Sequence, residues 1–167
     1  GHNRSVDEIV TAAVQEDATG IAVSSYQGGH IEYFKYMIDL LRERGAGHIR
    51  VFGGGGGVIV PSEIKELHDY GVAKIYSPED GATMGLQGMI DDMIQRAREA
   101  KSPAPFGSLE SISKSAHGEL ARVISAIEDK SIDGDFYQSI LEQAGSLVNK
   151  IPVLGITGTG GAGKSSL

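Results

Sequence analysis

The sequence predicts an α/β fold in which a small parallel sheet is covered by helices, and three observations predict it. Short apolar runs at 20–24, 48–52 and 73–76 alternate with segments of helical apolar period. The 24 glycines are gathered at the ends of these runs rather than spread as low complexity. Helix-start signals, a capping box and a proline, stand where the alternation needs them. Strand, crossover helix and strand repeated in one sheet give right-handed connections, which bring the strand-to-helix loops to one sheet edge.

Taken in order, Ser5-Val-Asp-Glu8 is a capping box opening a helix with Ile9, Val10, Ala13 and Val14 on one face. Gly20–Ser24 is a buried strand. His30–Arg44 is a helix with Phe34, Met37, Ile38 and Leu41 on its inner stripe, ended by Gly45-Ala-Gly47. His48–Phe52 is the second strand and runs into five glycines, Gly53–Gly57. Pro61 takes the first position of a helix carrying Ile64 and Leu67, closed by Gly71. Ala73–Tyr76 is the third strand, and Thr83–Ala100 an amphipathic helix on Met84, Leu86, Met89, Ile90 and Ile94. Lys101–Ser108, with two prolines, reads as a linker, after which 109–127 and 136–148 read as helices.

Composition narrows the function. Apolar residues make up 40% and charged residues 22%, ordinary for a globular chain. The net charge of −7 gives no basic footprint for nucleic acid. Without cysteine there are no disulfides or thiolate metal sites, which fits a cytoplasmic location. No apolar run approaches the roughly 18 residues of a membrane span.

Two features carry chemistry. Gly158–Ser165 fits G-x-x-x-x-G-K-[ST], preceded by the apolar run Ile151–Ile156 as its buried strand. In such a loop Gly158, Gly160, Gly161, Ala162 and Gly163 turn backbone N–H groups toward phosphates. Lys164 reaches the β/γ oxygens and the Ser165 hydroxyl takes Mg²⁺. The second feature is the loop edge 25–29, 53–60 and 77–81, where open α/β sheets bind ligands. Five consecutive glycines there exceed what one tight turn requires. A helix–strand contact that needs no Cβ is the alternative explanation. The spacing does not make a dinucleotide fingerprint, because Pro61 starts the helix too late. Ser24, Ser25 and Tyr26 add hydroxyls at the first strand end, where capping of the next helix would also account for the serines.

Ser24-Ser-Tyr26 followed by Gly53-Gly54 resembles the S-x-L … G-G half of the cobalamin-binding signature D-x-H-x-x-G … S-x-L … G-G. The stretches 23–30 and 55–61 resemble those of methylmalonyl-CoA-mutase-type domains, over about residues 1–100. From Glu119 to the P-loop the chain resembles the start of the GTPase chaperones that service such mutases. That order, in one chain, is the one found in fused acyl-CoA mutases acting on isobutyryl-CoA. The resemblance implies a flavodoxin-like Rossmann cobalamin-binding domain over 1–101, lacking its first strand and helix. A linker with helices comes next over 102–149, and the first strand and P-loop of a GTPase over 150–167.

It further implies that Ser24 hydrogen-bonds the displaced nucleotide tail of adenosylcobalamin, with Ser25 beside it and Tyr26 where the family has Leu. Gly53, Gly54 and Gly55 leave room for the tail. Gly28, Gly29 and His30 line the corrin, and Tyr76 and Ser77 close the pocket. The cobalt-ligating His belongs to a D-x-H that the chain lacks and is expected ahead of Gly1. His2, His48, His68 and His117 are not expected to replace it. The implied activity is radical interconversion of isobutyryl-CoA and n-butyryl-CoA, the acyl-CoA being held by a domain outside the chain. GTP with Mg²⁺ is implied at the P-loop, and a homo-oligomer for the parent protein, while the segment alone is expected to be inactive. A corrinoid methyl carrier or sensor module, or a flavodoxin-like domain without cobalamin fused to an NTPase, is the alternative.

Overall fold

A computed structural model describes residues 4–26, 28–100, 117–147, 152 and 154–159. It divides into two compact units, Gly1–Ser131 and Ile132–Leu167.

The first unit is mixed α/β. Helix α1 (Val6–Gln15) opens as the capping box predicts: the Ser5 hydroxyl accepts from the Glu8 N–H, and the Glu8 carboxylate accepts from the Ser5 N–H. Strand β1 (Gly20–Ser24) comes next, then α2 (His30–Glu43), β2 (Arg50–Gly54), α3 (Pro61–Tyr70), β3 (Lys74–Tyr76) and α4 (Pro78–Glu99). The strands form one parallel sheet in the order β1-β2-β3, with Val23 opposite Gly53 and Gly53 opposite Ile75. Helix α5 (His117–Glu128) packs against α1.

Alternation along the strands separates two faces. On one, Ile21, Val51 and Ile75 join Val10 of α1, Phe34, Met37 and Leu41 of α2, and Leu67 of α3 in a single core cluster. On the other, Phe52, Lys74 and Tyr76 meet α4: Lys74 pairs with Asp80, and the Tyr76 hydroxyl donates to Asp92. Ala22 and Ser24, on that same face of β1, are exposed. Burying eight large side chains almost completely, Phe34 and Phe52 among them, supplies the main driving force of the unit.

Two expected elements move. The second strand lies at Arg50–Gly54, not His48–Phe52. Ile49 turns back to the Ala46 carbonyl, and Gly53 and Gly54 are held in the ladder by strands on both sides. The last sheet-covering helix begins at Pro78, not Thr83, because Ser77 and Asp80 form a capping box ahead of it. Gly85 (φ 64°, ψ 175°) interrupts α4 after its first turns.

In the second unit α6 (Gly134–Leu147) starts from Asp133, whose carboxylate accepts from the Asp135 and Phe136 N–H groups. Among the described residues, 154–159 carry no strand, and Leu154 and Ile156 are exposed, against the expected buried strand. A strand needs a neighbouring strand for its backbone groups, and the sheet of the described residues is made of β1, β2 and β3 alone. Ile151 and Val153 lie outside the described residues. Gly158 of the P-loop motif is described without regular structure, while Gly160, Gly161, Ala162, Gly163, Lys164 and Ser165 lie outside.

Candidate functional site

The parallel sheet brings the ends of β1, β2 and β3 together, and the loops leaving them touch one another. Beyond β1 the Ser25 N–H donates to the Gly54 carbonyl at 2.8 Å, extending the ladder by one bond. The Tyr26 ring lies over Gly56, where a Cβ would come within 3.0 Å of its Cε1, yet Tyr26 remains 68% exposed. Gly28 and Gly29 stand in open space, and Gly29 (φ 82°) is the N-cap of α2 without a side-chain capping bond. The serines therefore do not cap that helix, and Ser24 faces solvent.

The five glycines that end β2 and follow it serve different ends. A Cβ on Gly53 would come within 2.5 Å of Phe34 Cζ and 2.6 Å of Ile75 Cδ1, so this glycine lets α2 approach the sheet. Gly54 has only ordinary contact with the Tyr76 carbonyl. Gly55 sits against the Ser25 carbonyl oxygen, closer than a Cβ would allow. Gly56 (φ 56°) and Gly57 (φ 90°) make the turn, closed by Val58 N–H to the Gly55 carbonyl at 3.0 Å. Both need the left-handed region that glycine enters freely. Ile59 is buried beneath, while Val58 and Val60 face solvent.

His30 is 7% exposed, and its Nε2 lies 3.0 Å from Glu63 Oε2. The same oxygen accepts from the Val60 N–H at 2.9 Å. One carboxylate thus joins the first turn of α2 to the first turn of α3. That Val60 bond, then His30, holds the Glu63 carboxyl below its ordinary value.

At the third strand end Tyr76 and Ser77 are committed locally. Burial first, then Asp92, pushes the Tyr76 phenol far above its ordinary value. Ser77 caps α4. Burial raises the Asp80 carboxyl, but the Ser77 N–H and Lys74 outweigh it and leave the group lowered. The sequence carries a signal for this cap, Ser77-x-x-Asp80, which lies ahead of the apolar period that begins at Thr83. Loop contact continues here: a Cβ on Gly57 would stand 3.3 Å from Pro78 Cγ.

No group of three or more His, Cys, Asp or Glu among the described residues is placed to hold a metal. His68 Nε2 accepts from the Ile75 N–H at 2.9 Å, fixing α3 to β3, and His48 lies at the opposite sheet end. No helix among the described residues is long and apolar enough to cross a membrane.

The arrangement suits a large ligand laid over strand ends. It offers exposed hydroxyls at Ser24 and Tyr26, apolar contact at Val58 and Val60, and close backbone approach at Gly28 and Gly29. Comparison with known proteins adds to this. No protein-family model matches the chain. It is 60% identical over 167 residues to the fused isobutyryl-CoA mutase of Cupriavidus metallidurans, covering all of this chain and 15% of that protein. It is 56% identical over 173 aligned positions to the fused isobutyryl-CoA mutase of Geobacillus kaustophilus, again covering all of this chain and 16% of the relative. The 2-hydroxyisobutanoyl-CoA mutase small subunit of Aquincola tertiaricarbonis is 38% identical over 63 residues, 38% of this chain and 44% of the subunit. The chain spans about 15% of the length of the first of these relatives.

Proposed function

Because the chain belongs along its whole length to the family of the fused isobutyryl-CoA mutases, we propose that it is the cobalamin-binding segment of an acyl-CoA mutase. In this proposal it is joined to the start of a GTP-binding module. The observation that supports the cofactor assignment most directly is the joined edge of the loops after β1 and β2. It presents Ser24, Ser25, Tyr26, Gly28 and Gly29 together with Gly54 and Gly55, around an aromatic ring that the fold leaves uncovered.

Those residues fit a bulky, amphipathic cofactor. Ser24 offers a hydroxyl where backbone groups are already paired in the ladder, so it is free to orient a polar tail. Tyr26 offers a broad apolar face with a polar tip. Gly53, filled behind by Phe34 and Ile75, keeps the sheet and α2 close so that the loops stay in register. Tyr76 and Ser77 shape the third loop through α4. His30 holds α2 and α3 through Glu63 and thereby sets the spacing of the two loops. When bound, adenosylcobalamin supplies the radical chemistry, while the protein supplies binding and orientation. The parent protein is proposed to interconvert isobutyryl-CoA and n-butyryl-CoA in the cytoplasm as a homo-oligomer. Gly158–Ser165 is proposed to bind GTP, with Mg²⁺ on Ser165.

The test is a spectroscopic titration of the full-length protein with adenosylcobalamin, alongside Tyr26→Ala and Ser24→Ala. Saturable binding, weakened about tenfold in either variant, supports the assignment. Absence of binding, or full affinity in both variants, rejects it. Loss of GTP binding in Lys164→Ala, with cobalamin binding intact, checks the second module separately.

A further inference from the structure

At the opposite end of the sheet, α1, the turn between α2 and β2, and the first turns of α5 enclose a cavity of about 530 Å³. The volume lies within the range of small-molecule sites, roughly 300–1,000 Å³. Helix α5 is docked tightly: a Cβ on Gly118 would come within 2.9 Å of Val14 Cγ1. Val14, Ala46 and Ile49 give the cavity an apolar wall. Three buried side-chain polar atoms carry no hydrogen-bond partner among the described residues: His48 Nδ1, Glu119 Oε2 and Arg122 Nε. All three belong to residues lining this one cavity.

Buried polar groups are paired in the great majority of cases, so three together call for a common partner. Arg44, on the same wall, is already bound to Thr11 and Asp7. The three unpartnered atoms are one cationic donor, one anionic acceptor and one imidazole nitrogen, and Gln15 and Asp17 complete the polar lining. Burial first, then Arg122, holds His48 below its ordinary value against the pull of Asp17, so the ring enters neutral and can donate from Nδ1. A simple anion would satisfy Arg122 and His48 but meet the Glu119 carboxylate. A simple cation would meet Arg122. A molecule carrying both charges side by side satisfies all three and leaves the net charge unchanged.

We propose that this cavity binds a free α-amino acid with an apolar side chain. Its carboxylate pairs with Arg122 and His48, its ammonium with Glu119, and its side chain lies against Val14, Ala46 and Ile49. The proposal does not depend on the cofactor assignment, since the two sites lie at opposite sheet ends.

The experiment is calorimetric titration of the full-length protein with L-leucine, 4-methylpentanoate and 3-methylbutylamine. The last two are the same apolar body with one charge each. Saturable binding of L-leucine is expected, with each half-molecule weaker by at least about tenfold, and L-leucine weakened similarly in Arg122→Gln and Glu119→Gln. A second measurement needs no substitution: the His48 imidazole resonances of the unaltered protein should shift on L-leucine addition and saturate with the calorimetric curve. No saturable binding, equal binding of 4-methylpentanoate, unchanged affinity in both folded variants, or an unmoved His48 signal each overturns the proposal.

Discussion

Gly53→Ala distinguishes a glycine kept for packing from one kept for ligand room. The added methyl would stand 2.5 Å from Phe34 Cζ and 2.6 Å from Ile75 Cδ1. Carbon atoms pack at roughly 3.5–4.0 Å, so each neighbour must retreat by about 1 Å or more. Neither has anywhere to go, since Phe34 is 0% and Ile75 1% exposed. Overpacking of this kind costs about 1–3 kcal/mol. Phe34→Leu removes the ring tip that is struck, and alone costs roughly 1–2 kcal/mol through the space it leaves. Together the two changes offset each other in part: the methyl no longer meets the ring tip, and the vacated space gives Ile75 Cδ1 room to retreat. The double variant should be more stable than the sum of the singles by about 1 kcal/mol or more. The assay is urea unfolding of all four proteins, compared at constant slope so that midpoints report stability. Adenosylcobalamin affinity, read in parallel, should recover in the double variant. Strict additivity, or affinity lost in the double variant despite restored stability, would refute the packing account and return Gly53 to the ligand.

Three further outcomes rest on the same geometry. Gly55→Ala should separate the two loops, because its methyl runs into the Ser25 carbonyl oxygen, whereas Gly28→Ala has nothing within 4 Å and should stay within about 0.5 kcal/mol of the parent in the same unfolding assay. His68 is held below its ordinary 6.5 by burial first, then by Lys74 and Arg96, so its contribution to stability is present above that value and is lost as pH falls through the lowered folded value. Unfolding midpoints tracked from pH 8 to 5 should show this loss, and His68→Gln, which can still accept from the Ile75 N–H, should reduce it to the part that His48, also held low, contributes. Glu63, lowered first by the Val60 N–H and then by His30, stabilises above its ordinary 4.5, and that support is lost as pH falls through its folded value. Glu63→Gln should reduce this lower step, which Asp80 shares, and leave the His68 step unchanged, checked in the same titration extended to pH 3.

Most of the fold was legible because each element carries its own local signal. Ser5–Glu8, the run Gly20–Ser24 and Pro61 each mark an element that stands where the pattern placed it. What moved depended on neighbours. Gly53 and Gly54 have poor intrinsic strand preference, and they enter β2 because β1 and β3 hydrogen-bond them from both sides. The site was legible as an edge, since parallel topology alone brings the three loops together. Its internal division was not. Nothing in the spacing told that Gly53 faces Phe34, that Gly55 faces Ser25, or that Glu63 reaches His30 across 33 residues. Those are three-dimensional contacts between segments with no shared period.

Within the run of five glycines, structural need and ligand need come apart. Gly53 answers to the core, Gly55 to the neighbouring loop, and Gly56 and Gly57 to the turn, while Gly54 has only ordinary contact. Four of the five are thus required by the protein's own packing or backbone before any ligand is considered. A glycine run after a parallel strand is therefore weak evidence of a ligand by itself. The stronger evidence lies where the fold has no use for the residue: Tyr26 left exposed beside Gly28 and Gly29 in open space. The proposed cofactor binding would give that uncovered aromatic a role that core packing does not. Substitutions at Tyr26 should accordingly change cofactor affinity with little change in unfolding midpoint, and those at Gly53 should do the reverse once packing is repaired. Measured on the same proteins, that crossed pattern separates the residues that build the edge from those that use it.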